Sequence, residues 1–469
     1  MSRRRVVVTG VGVVSAAGVG MDALWSAMVE GKSPLGEITR LDASGFPCRF
    51  GGEVKDFSAK DHVPKSYRKA VKVMARDIEL AVAAAKAAAE DARLVTRGFL
   101  EATPDAPTTY PGSRLGCHIG AGLIAAETLE LTSALATARD PNQPEELRRR
   151  TNGFDVRRWG TIQEAAPHGV TVGGMNNLQP LWLLKYLPNM LACHVTIIHG
   201  AEGPSNTITC GEASGLLSIG ESARVIERGD ADACFAGGCE SKLSHMGLLR
   251  LSLLGRLAPT GTTQAADAWR LVRPFDPQSL GTIPGEGGGI LILESHDSAR
   301  ARGATILAEV AGFGAAHTPH ATNLPTPSRT WEDHPPNKGL AAAIKAAMRD
   351  AGVGPGDIDA IVPEGHGSPA VDAGEVGAIR AVLGQRASGI PVITITPFVG
   401  ACSAGHGSLL AAVGARALAT GLMPARLHAG TPALRAEGGP SRSATLNTVL
   451  VCTGSLGGQN AAMILRRAH

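Results

Sequence analysis

Residues 203–243, GPSNTITCGEASGLLSIGESARVIERGDADACFAGGCESKL, decide the fold. A run of β-forming residues at 206–210 is followed by a glycine-containing turn. Apolar side chains then recur on one face of a helix, at Leu216, Ile219, Ala223 and Ile226. Gly229 supplies a helix stop, and DACFAGG at 232–238 indicates a strand that enters a second glycine turn. The segment therefore predicts strand, tight turn, helix and strand in succession.

The same alternation of strand and helix continues on both sides of this segment. Upstream, residues 5–12 are a continuous β run typical of buried parallel strands, and residues 68–92 have the pattern of an amphipathic, alanine-rich helix. Downstream, residues 286–294 indicate a strand, and the chain closes on a predicted strand pair, ATLNTVLVCTG and NAAMILRRA. The pattern predicts an α/β fold with parallel sheets.

The composition indicates a large core with many tight turns. Of 469 residues 44% are hydrophobic, and the 59 glycines are about twice the usual share of roughly 7%. With 45 Lys and Arg against 42 Asp and Glu, the net charge is +3. A protein that coats nucleic acid would carry a clustered basic excess, so we predict no nucleic-acid partner.

The cysteines and the apolar segments exclude two further classes. The eight cysteines contain no CxxC pair, so they indicate buried thiols, with no disulfide framework and no metal site. Residues 387–415 carry no Asp, Glu, Lys or Arg, but prolines and glycines interrupt them, so we predict no membrane span. We expect a cytoplasmic protein.

Glu212 and Ser214 are predicted to lie at or just before a helix N-terminus, where unpaired N–H groups and the helix dipole favour an anion. Such a strand-to-helix elbow can present a nucleophile. The simpler interpretation is that Glu212 caps its helix. The elbow alone leaves both interpretations open.

The chain resembles the β-ketoacyl-acyl-carrier-protein synthase (ketosynthase) family over nearly its whole length. The motifs that carry the resemblance are VVVTGVGVVSAAG, KYLPNMLACHVTIIHGAEGPS, the elbow, RPFDPQSLGTIPGEGGGILILE, VPEGHGSPAVDAGE and GSLGGQNAAMIL. The resemblance implies a thiolase-like αβαβα fold of two similar halves, 1–295 and 296–469. Segments near 96–113 and 139–165 are predicted to be surface insertions of the first half.

The resemblance also implies partners and a substrate class. Family members act on acyl chains carried by the phosphopantetheine of acyl carrier protein and need no further cofactor. We therefore expect acyl carrier protein as a partner. We also expect a homodimer, or a heterodimer with an active ketosynthase, built on the strand near 206–210.

The elbow departs from the family pattern. Condensing members have a nucleophilic cysteine in a pattern like TACSSG, and counting without gaps from Gly203 places Glu212 at that position. Cys210 lies two residues earlier and could be the nucleophile only if the loop shifted. A carboxylate cannot form the thioester that condensation needs, so the resemblance implies that condensing activity is lost.

The two histidine motifs of the family differ in how well they match. His366 in EGHGS matches the first, as a donor to a thioester or enolate oxygen, although it could be a structural loop histidine. The second motif places Thr396 at the family's lysine, Ala401 at its histidine and Leu410 at its glutamate. His406 could replace the missing histidine if the loop is remodelled.

Two further departures lie in the RPFD segment and in the closing glycine turn. Leu280 and Thr282 stand at the Asp and Phe of the family's DGF, and Leu456 or Gly454 stands at its gating phenylalanine. We predict Glu212 and His366 as catalytic residues. The substrate-binding candidates are Ala401, His406, Leu456 and Gly457.

These matches leave three functions open. The first is a ketosynthase homologue without condensing activity, with a residual role as decarboxylase or hydrolase of malonyl- or acyl-carrier protein. The second is a non-catalytic partner like the chain-length factors of aromatic polyketide systems. The third is an ordinary 3-oxoacyl-carrier-protein synthase that uses Cys210. We further predict that Glu212 lies within hydrogen-bond reach of His366, directly or through one water.

Overall fold

The computed structural model describes residues 3–160, 174–178, 181–318, 331, 334–431, 433–435 and 437–468. The strands are β1 Val6–Ser15, β2 Gly18–Val19, β3 Gly36–Glu37, β4 Phe50–Gly51, β5 Leu115–Gly120, β6 Ser205–Ile208, β7 Ala233–Ser241, β8 Glu286–Ser295, β9 Ala308–His317, β10 Ala360–Val362, β11 Leu422–Met423, β12 Arg442–Ser443, β13 Thr448–Gly454 and β14 Gln459–Arg466. The α-helices are α1 Met21–Glu30, α2 Arg76–Asp91, α3 Thr128–Thr137, α4 Glu145–Thr151, α5 Val156–Gly160, α6 Met190–His199, α7 Ser214–Arg228, α8 His245–Leu253, α9 His296–Ala301, α10 Lys338–Ala351, α11 Pro369–Leu383, α12 Thr396–Val399 and α13 His406–Thr420.

One mixed sheet runs through the molecule in the order β10-β13-β14-β9-β1-β8-β7-β5-β6, with β2 paired to β1. In the N-terminal half, β8 is antiparallel to β1 and to β7, and β7, β5 and β6 are mutually parallel. In the C-terminal half, β14 is antiparallel to β9 and to β13, and β13 is parallel to β10. The α/β class and the two similar halves predicted from the sequence are confirmed. The boundary at 295/296 stays a prediction.

The helices form layers around this sheet. Helices α7 and α13 pack against each other in the central core, together with apolar side chains of β1, β7 and β13. Helices α2 and α6 cover the other face of the first half, and α10 and α11 cover the second half. Most residues of α7 and α13 are buried, since these helices pack against the sheet and against each other.

The prediction of parallel sheets was wrong for the middle of the molecule. The β1 strand is buried along its whole length, as its apolar sequence predicts, yet its pairs with β8 and β9 are antiparallel. A strand covered by helices on both faces is apolar whichever way its neighbours run. The composition of β1 therefore could not reveal its direction.

The predicted helix at 68–92 begins later than expected. Residues Lys65–Val73 form a 3-10 helix, Met74 and Ala75 are extended, and α2 begins at Arg76. The guanidinium of Arg76 is drawn to the buried carboxylate of Glu286, with Nη2 and Oε1 2.7 Å apart. This ion pair fixes the start of α2, and the basic residues before it stay at the surface.

The two predicted insertions consist largely of exposed turns and short helices. Segment 96–113 contains 3-10 turns, and α4 and α5 lie in segment 139–165, whose residues 161–165 are outside the described ranges. Within the described ranges, no helix combines the length and the apolar character needed to cross a membrane.

Candidate functional site

Glu212 lies in a 3-10 turn, Gly211–Ala213, that joins the edge strand β6 to α7. The predicted strand, turn and helix are confirmed, and Gly229 ends α7 in the left-handed conformation at φ 84°. Glu212 is therefore presented at the N-terminal end of a buried helix, as the sequence predicted.

The carboxylate of Glu212 is held by two donors. Its Oε1 accepts a hydrogen bond from Nη1 of Arg256 at 2.9 Å, and its Oε2 accepts from the backbone N–H of Leu456 at 3.2 Å. Arg256 is only 2% exposed. The elbow therefore carries a partly buried ion pair.

His366 lies in the loop that follows β10, where the sequence placed it. Carboxylates of α11 anchor this loop, because Asp372 accepts from the backbone N–H of Gly367 and Glu375 from that of Gly365. Burial lowers the pKa of His366 well below its ordinary value, and the charges of Arg256 and His406 lower it further. The ring is therefore neutral at pH 7.

The tautomer of His366 follows from its neighbour. Its Nε2 lies 3.5 Å from Nη1 of Arg256, and a guanidinium can only donate. Nε2 can accept from this guanidinium only in the tautomer that carries the proton on Nδ1. In this arrangement Nε2 offers no hydrogen to a substrate oxygen.

Most of the predicted site residues line an inner cavity of about 10 Å³, a volume close to the minimum for one water. Its lining includes Glu212, Lys242, Leu251, Glu364, His366, Thr396, Ala401, Ser403 and His406. His406 stands at the first residue of α13, and its Nε2 lies 3.2 Å from the carbonyl oxygen of Glu364. Burial lowers the pKa of His406 to about 4. Two neutral imidazoles therefore reach this cavity, although Ala401 carries none.

The positions of the family's lysine and glutamate hold uncharged side chains here. The hydroxyl of Thr396, at the position of the expected lysine, donates to the carbonyl of Gly365 at 2.6 Å. Leu410, at the position of the expected glutamate, is fully buried in α13. Burial, with Glu212 and Glu375 nearby, raises the pKa of Glu364 well above its ordinary value.

A larger outer cavity of about 500 Å³ lies on the other side of Glu212. Leu456 and Gly457 line it, as do Leu123, Leu251 and Leu254. The residues common to both cavities are Glu212, Lys242, Leu251 and Ser403. Arg256 faces the outer cavity, whereas His366 and His406 face the inner one. The ion pair of Glu212 with Arg256 therefore stands between the outer cavity and the histidines.

A second ion pair adjoins the first. The ammonium group of Lys242 contacts the carboxylate of Glu240, whose other oxygen accepts from the backbone N–H of Ala404 at 2.8 Å. Burial opposes the charge of Lys242, but Glu240, Asp77 and Glu212 raise the pKa of its ammonium group. The floor of the outer cavity is thus built from paired charges.

Cys210 is set apart from these cavities. It is half-buried, its backbone N–H donates to the hydroxyl of Ser214 at 2.7 Å, and it is not among the residues that line either cavity. Burial raises the pKa of its thiol, which reduces the thiolate fraction at neutral pH. Leu280 is exposed and Thr282 is buried outside both linings.

Sequence reasoning missed Arg256, Lys242 and Glu240. The expected contact between Glu212 and His366 passes through Arg256, whose Nη1 touches both side chains. Arg256 is the one charged residue in the apolar stretch LSLLGRLAP, and a buried arginine requires a carboxylate partner. That isolation was the available signal. Among the described residues, no three His, Cys, Asp or Glu side chains form a group that could hold a metal ion.

Family models match most of the chain. The β-ketoacyl synthase N-terminal domain matches residues 3–152 and 159–299, and the C-terminal domain matches 307–430. The chain belongs to the β-ketoacyl synthase family. The resemblance seen in the sequence motifs is thereby confirmed.

The curated relatives of this ketosynthase-family chain align along its full length. It is 29% identical over 468 residues to the 3-oxoacyl-[acyl-carrier-protein] synthase 2 of Staphylococcus aureus strain COL. The alignment covers 99% of this chain and 98% of the relative. A protein of the same name from Synechocystis is also 29% identical, over 100% of this chain and 99% of its own.

Solved structures of ketosynthases share the fold of this chain. The ishigamide ketosynthase/chain length factor superposes with a TM-score of 0.77 at 25% identity, covering 100% of both chains. A β-ketoacyl synthase from Burkholderia phymatum gives a TM-score of 0.76 at 23% identity over 99% of this chain and 100% of that one, a likeness of fold. The thiolase-like fold is therefore confirmed.

Proposed function

We propose that this chain is a non-condensing member of the ketosynthase family, which serves as the partner subunit of an active ketosynthase. The observation that carries the proposal is the ion pair of Glu212 with Arg256 at the elbow. A condensing site needs a thiolate there, open to the thioester and close to two imidazole donors. Here the position holds a carboxylate that is already paired.

The position of the ion pair also argues against acyl transfer. It stands between the outer cavity and the histidines, so a thioester in the outer cavity would meet Arg256 before it reached His366. The Nε2 of His366 faces a guanidinium and has no hydrogen to give. The geometry thus supports a kept fold with an altered site.

The edge of the sheet supports the role of a partner. Strand β6 pairs with β5 on one side, its Ser205 and Asn206 are exposed, and Ile197 of the neighbouring α6 is 61% exposed. An open strand edge can continue into the sheet of a second subunit. The ishigamide protein that shares this fold is by name a ketosynthase together with a chain length factor. A homodimer is the alternative assembly on the same edge, and localisation in the cytoplasm stays a prediction.

Decarboxylation of malonyl-carrier protein is the second candidate. Arg256 neutralises Glu212, so repulsion of a malonyl carboxylate is weaker than Glu212 alone would produce. A guanidinium beside that carboxylate would, however, stabilise the ground state, whereas decarboxylation needs donors at the enolate oxygen. The third candidate, an ordinary synthase that uses Cys210, requires a thiol that reaches one of the two cavities.

The test consists of three measurements on the full chain. Incubation with acyl-carrier protein should leave the intact mass unchanged, and co-expression with a ketosynthase should move both proteins into one gel-filtration peak. Turnover of malonyl-carrier protein should not exceed the rate without protein. A covalent acyl group on Cys210 would restore the ordinary synthase, and rapid turnover without an acyl adduct would restore the decarboxylase.

A further inference from the structure

Two arginines, Arg250 and Arg256, line the outer cavity. The cavity of about 500 Å³ falls within the usual range of ligand pockets, about 300–1,000 Å³. Its walls are largely aliphatic, with Leu123, Leu251 and Leu254 among them. An apolar chain therefore fits the walls.

The charges in these walls do not balance. Arg256 is paired with Glu212, and Lys242 with Glu240, which leaves Arg250 as a third cation. No ion pair joins Arg250 to a carboxylate of the described residues. The cavity thus carries one more positive than negative charge, which favours an anion on an apolar body.

The carboxylate of Glu212 shows which anion the floor of the cavity accepts. Its Oε1 lies 2.9 Å from Nη1 of Arg256, in a site where that guanidinium is 2% exposed. A planar guanidinium recognises a carboxylate through adjacent N–H groups. Glu212 is 14% exposed at its side chain and lines the cavity, so it can be displaced toward solvent-filled space.

We infer that the outer cavity binds an unbranched aliphatic carboxylate with its head group on Arg256, and that Glu212 is the internal carboxylate with which this ligand competes. The inference deepens the proposed function by naming the group that the altered site takes. A thioester carries no charge at its carbonyl, so Arg256 distinguishes a free acid from the thioester of a carrier protein. The role of Arg256 is recognition and involves no covalent step.

Isothermal titration with dodecanoate tests this inference, with dodecanol as the neutral ligand of the same length. Glu212→Gln removes the competing charge, so dodecanoate should bind roughly tenfold more tightly than to the wild type, the usual value of one charged hydrogen bond. The double variant Glu212→Gln with Arg256→Gln removes both charges and should lose that gain. Dodecanol should bind all three proteins equally.

The matched control is Arg270→Gln, which removes a surface cation paired with Asp267 outside the cavity and should leave dodecanoate affinity unchanged. Equal affinities of wild type and Glu212→Gln would overturn the inference, as would an equal gain for dodecanol. So would a gain that persists in the double variant. These outcomes leave the partner role standing, whereas an acyl adduct on Cys210 defeats the partner role whatever dodecanoate does.

Discussion

The two halves of the molecule build the same elbow and place different chemistry in it. In the first half a 3-10 turn at Gly211–Ala213 leads into α7, and in the second half a 3-10 turn at Ser403–Gly405 leads into α13. Both helices have 15 residues and end at a left-handed glycine. Both turns begin with a positive φ, 56° at Gly211 and 47° at Ser403.

The residue types differ at equivalent positions of the first elbow, at Gly211–Ala213, and the second elbow, at Ser403–Gly405. Cys210 and Cys402 both precede the turn, but Glu212 corresponds to Ala404 and Ser214 to His406. The first elbow holds a charged pair, whereas the second presents a neutral imidazole to the inner cavity. Backbone shape is thus specified by small residues at close contacts, and the charges can change without altering it.

The largest expected effect comes from giving the first elbow a nucleophile. Glu212→Cys should still fail to condense, at a rate on the order of 10³-fold or more below an active synthase, because catalytic groups act as a unit. Ala401 supplies no imidazole, His406 already contacts the carbonyl oxygen of Glu364, and Arg256 would remain beside the new thiol. Condensation of malonyl- and acyl-carrier protein measures this, with the Staphylococcus aureus relative as the positive control. Condensation by Glu212→Cys alone would contradict the argument that the second elbow lacks a donor that condensation needs.

The next effect comes from breaking the charge pair that distinguishes the elbows. Arg256→Leu leaves the carboxylate of Glu212 in a low-dielectric site without its cation, so the free energy of unfolding should fall by about 3 kcal/mol. Urea unfolding measures the loss, and Glu212→Gln in the same chain should recover most of it. The exposed pair of Arg270 with Asp267 is the control, where Arg270→Leu should lose less than about 1 kcal/mol. Equal losses in the two pairs would mean that Arg256 contributes only through packing.

The elbow could be predicted from the sequence, and its ion pair could not. The strand, turn and helix around Glu212 follow from local periodicity and from Gly229, all within one segment. Arg256 is 44 residues away along the chain, and no local pattern joins it to Glu212. The direction of β1 was also hidden, because a strand buried on both faces has one pattern for either direction.

The histidine of the second elbow should make stability depend on pH. Burial holds the pKa of His406 near 4, below the value of about 6.5 expected in the unfolded chain. Between these values the unfolded chain binds the extra proton, so stability falls as pH drops from about 6.5 toward 4, by at most about 1.4 kcal/mol per unit. His406→Ser installs the residue found at position 214. Urea unfolding at several pH values should show a shallower slope for this variant, and an unchanged slope would refute the assignment.

The smallest effects concern the contact that holds the elbows together. A Cβ on Gly215 would lie 2.8 Å from the carbonyl oxygen of Ala404, whereas one on Gly407 would meet Leu216 at 3.0 Å. Gly215→Ala should therefore lose about 2 kcal/mol in urea unfolding. Gly407→Ala should lose about 1 kcal/mol, because its contacts with Cβ and the backbone N of Leu216 need a smaller shift to relieve. Gly356→Ala, with nothing within 4 Å, is the control and should change little. If Gly407→Ala lowers the free energy of unfolding more than Gly215→Ala does, the contact between the two elbows depends more on the second half. The two elbows would then not be equivalent where they touch.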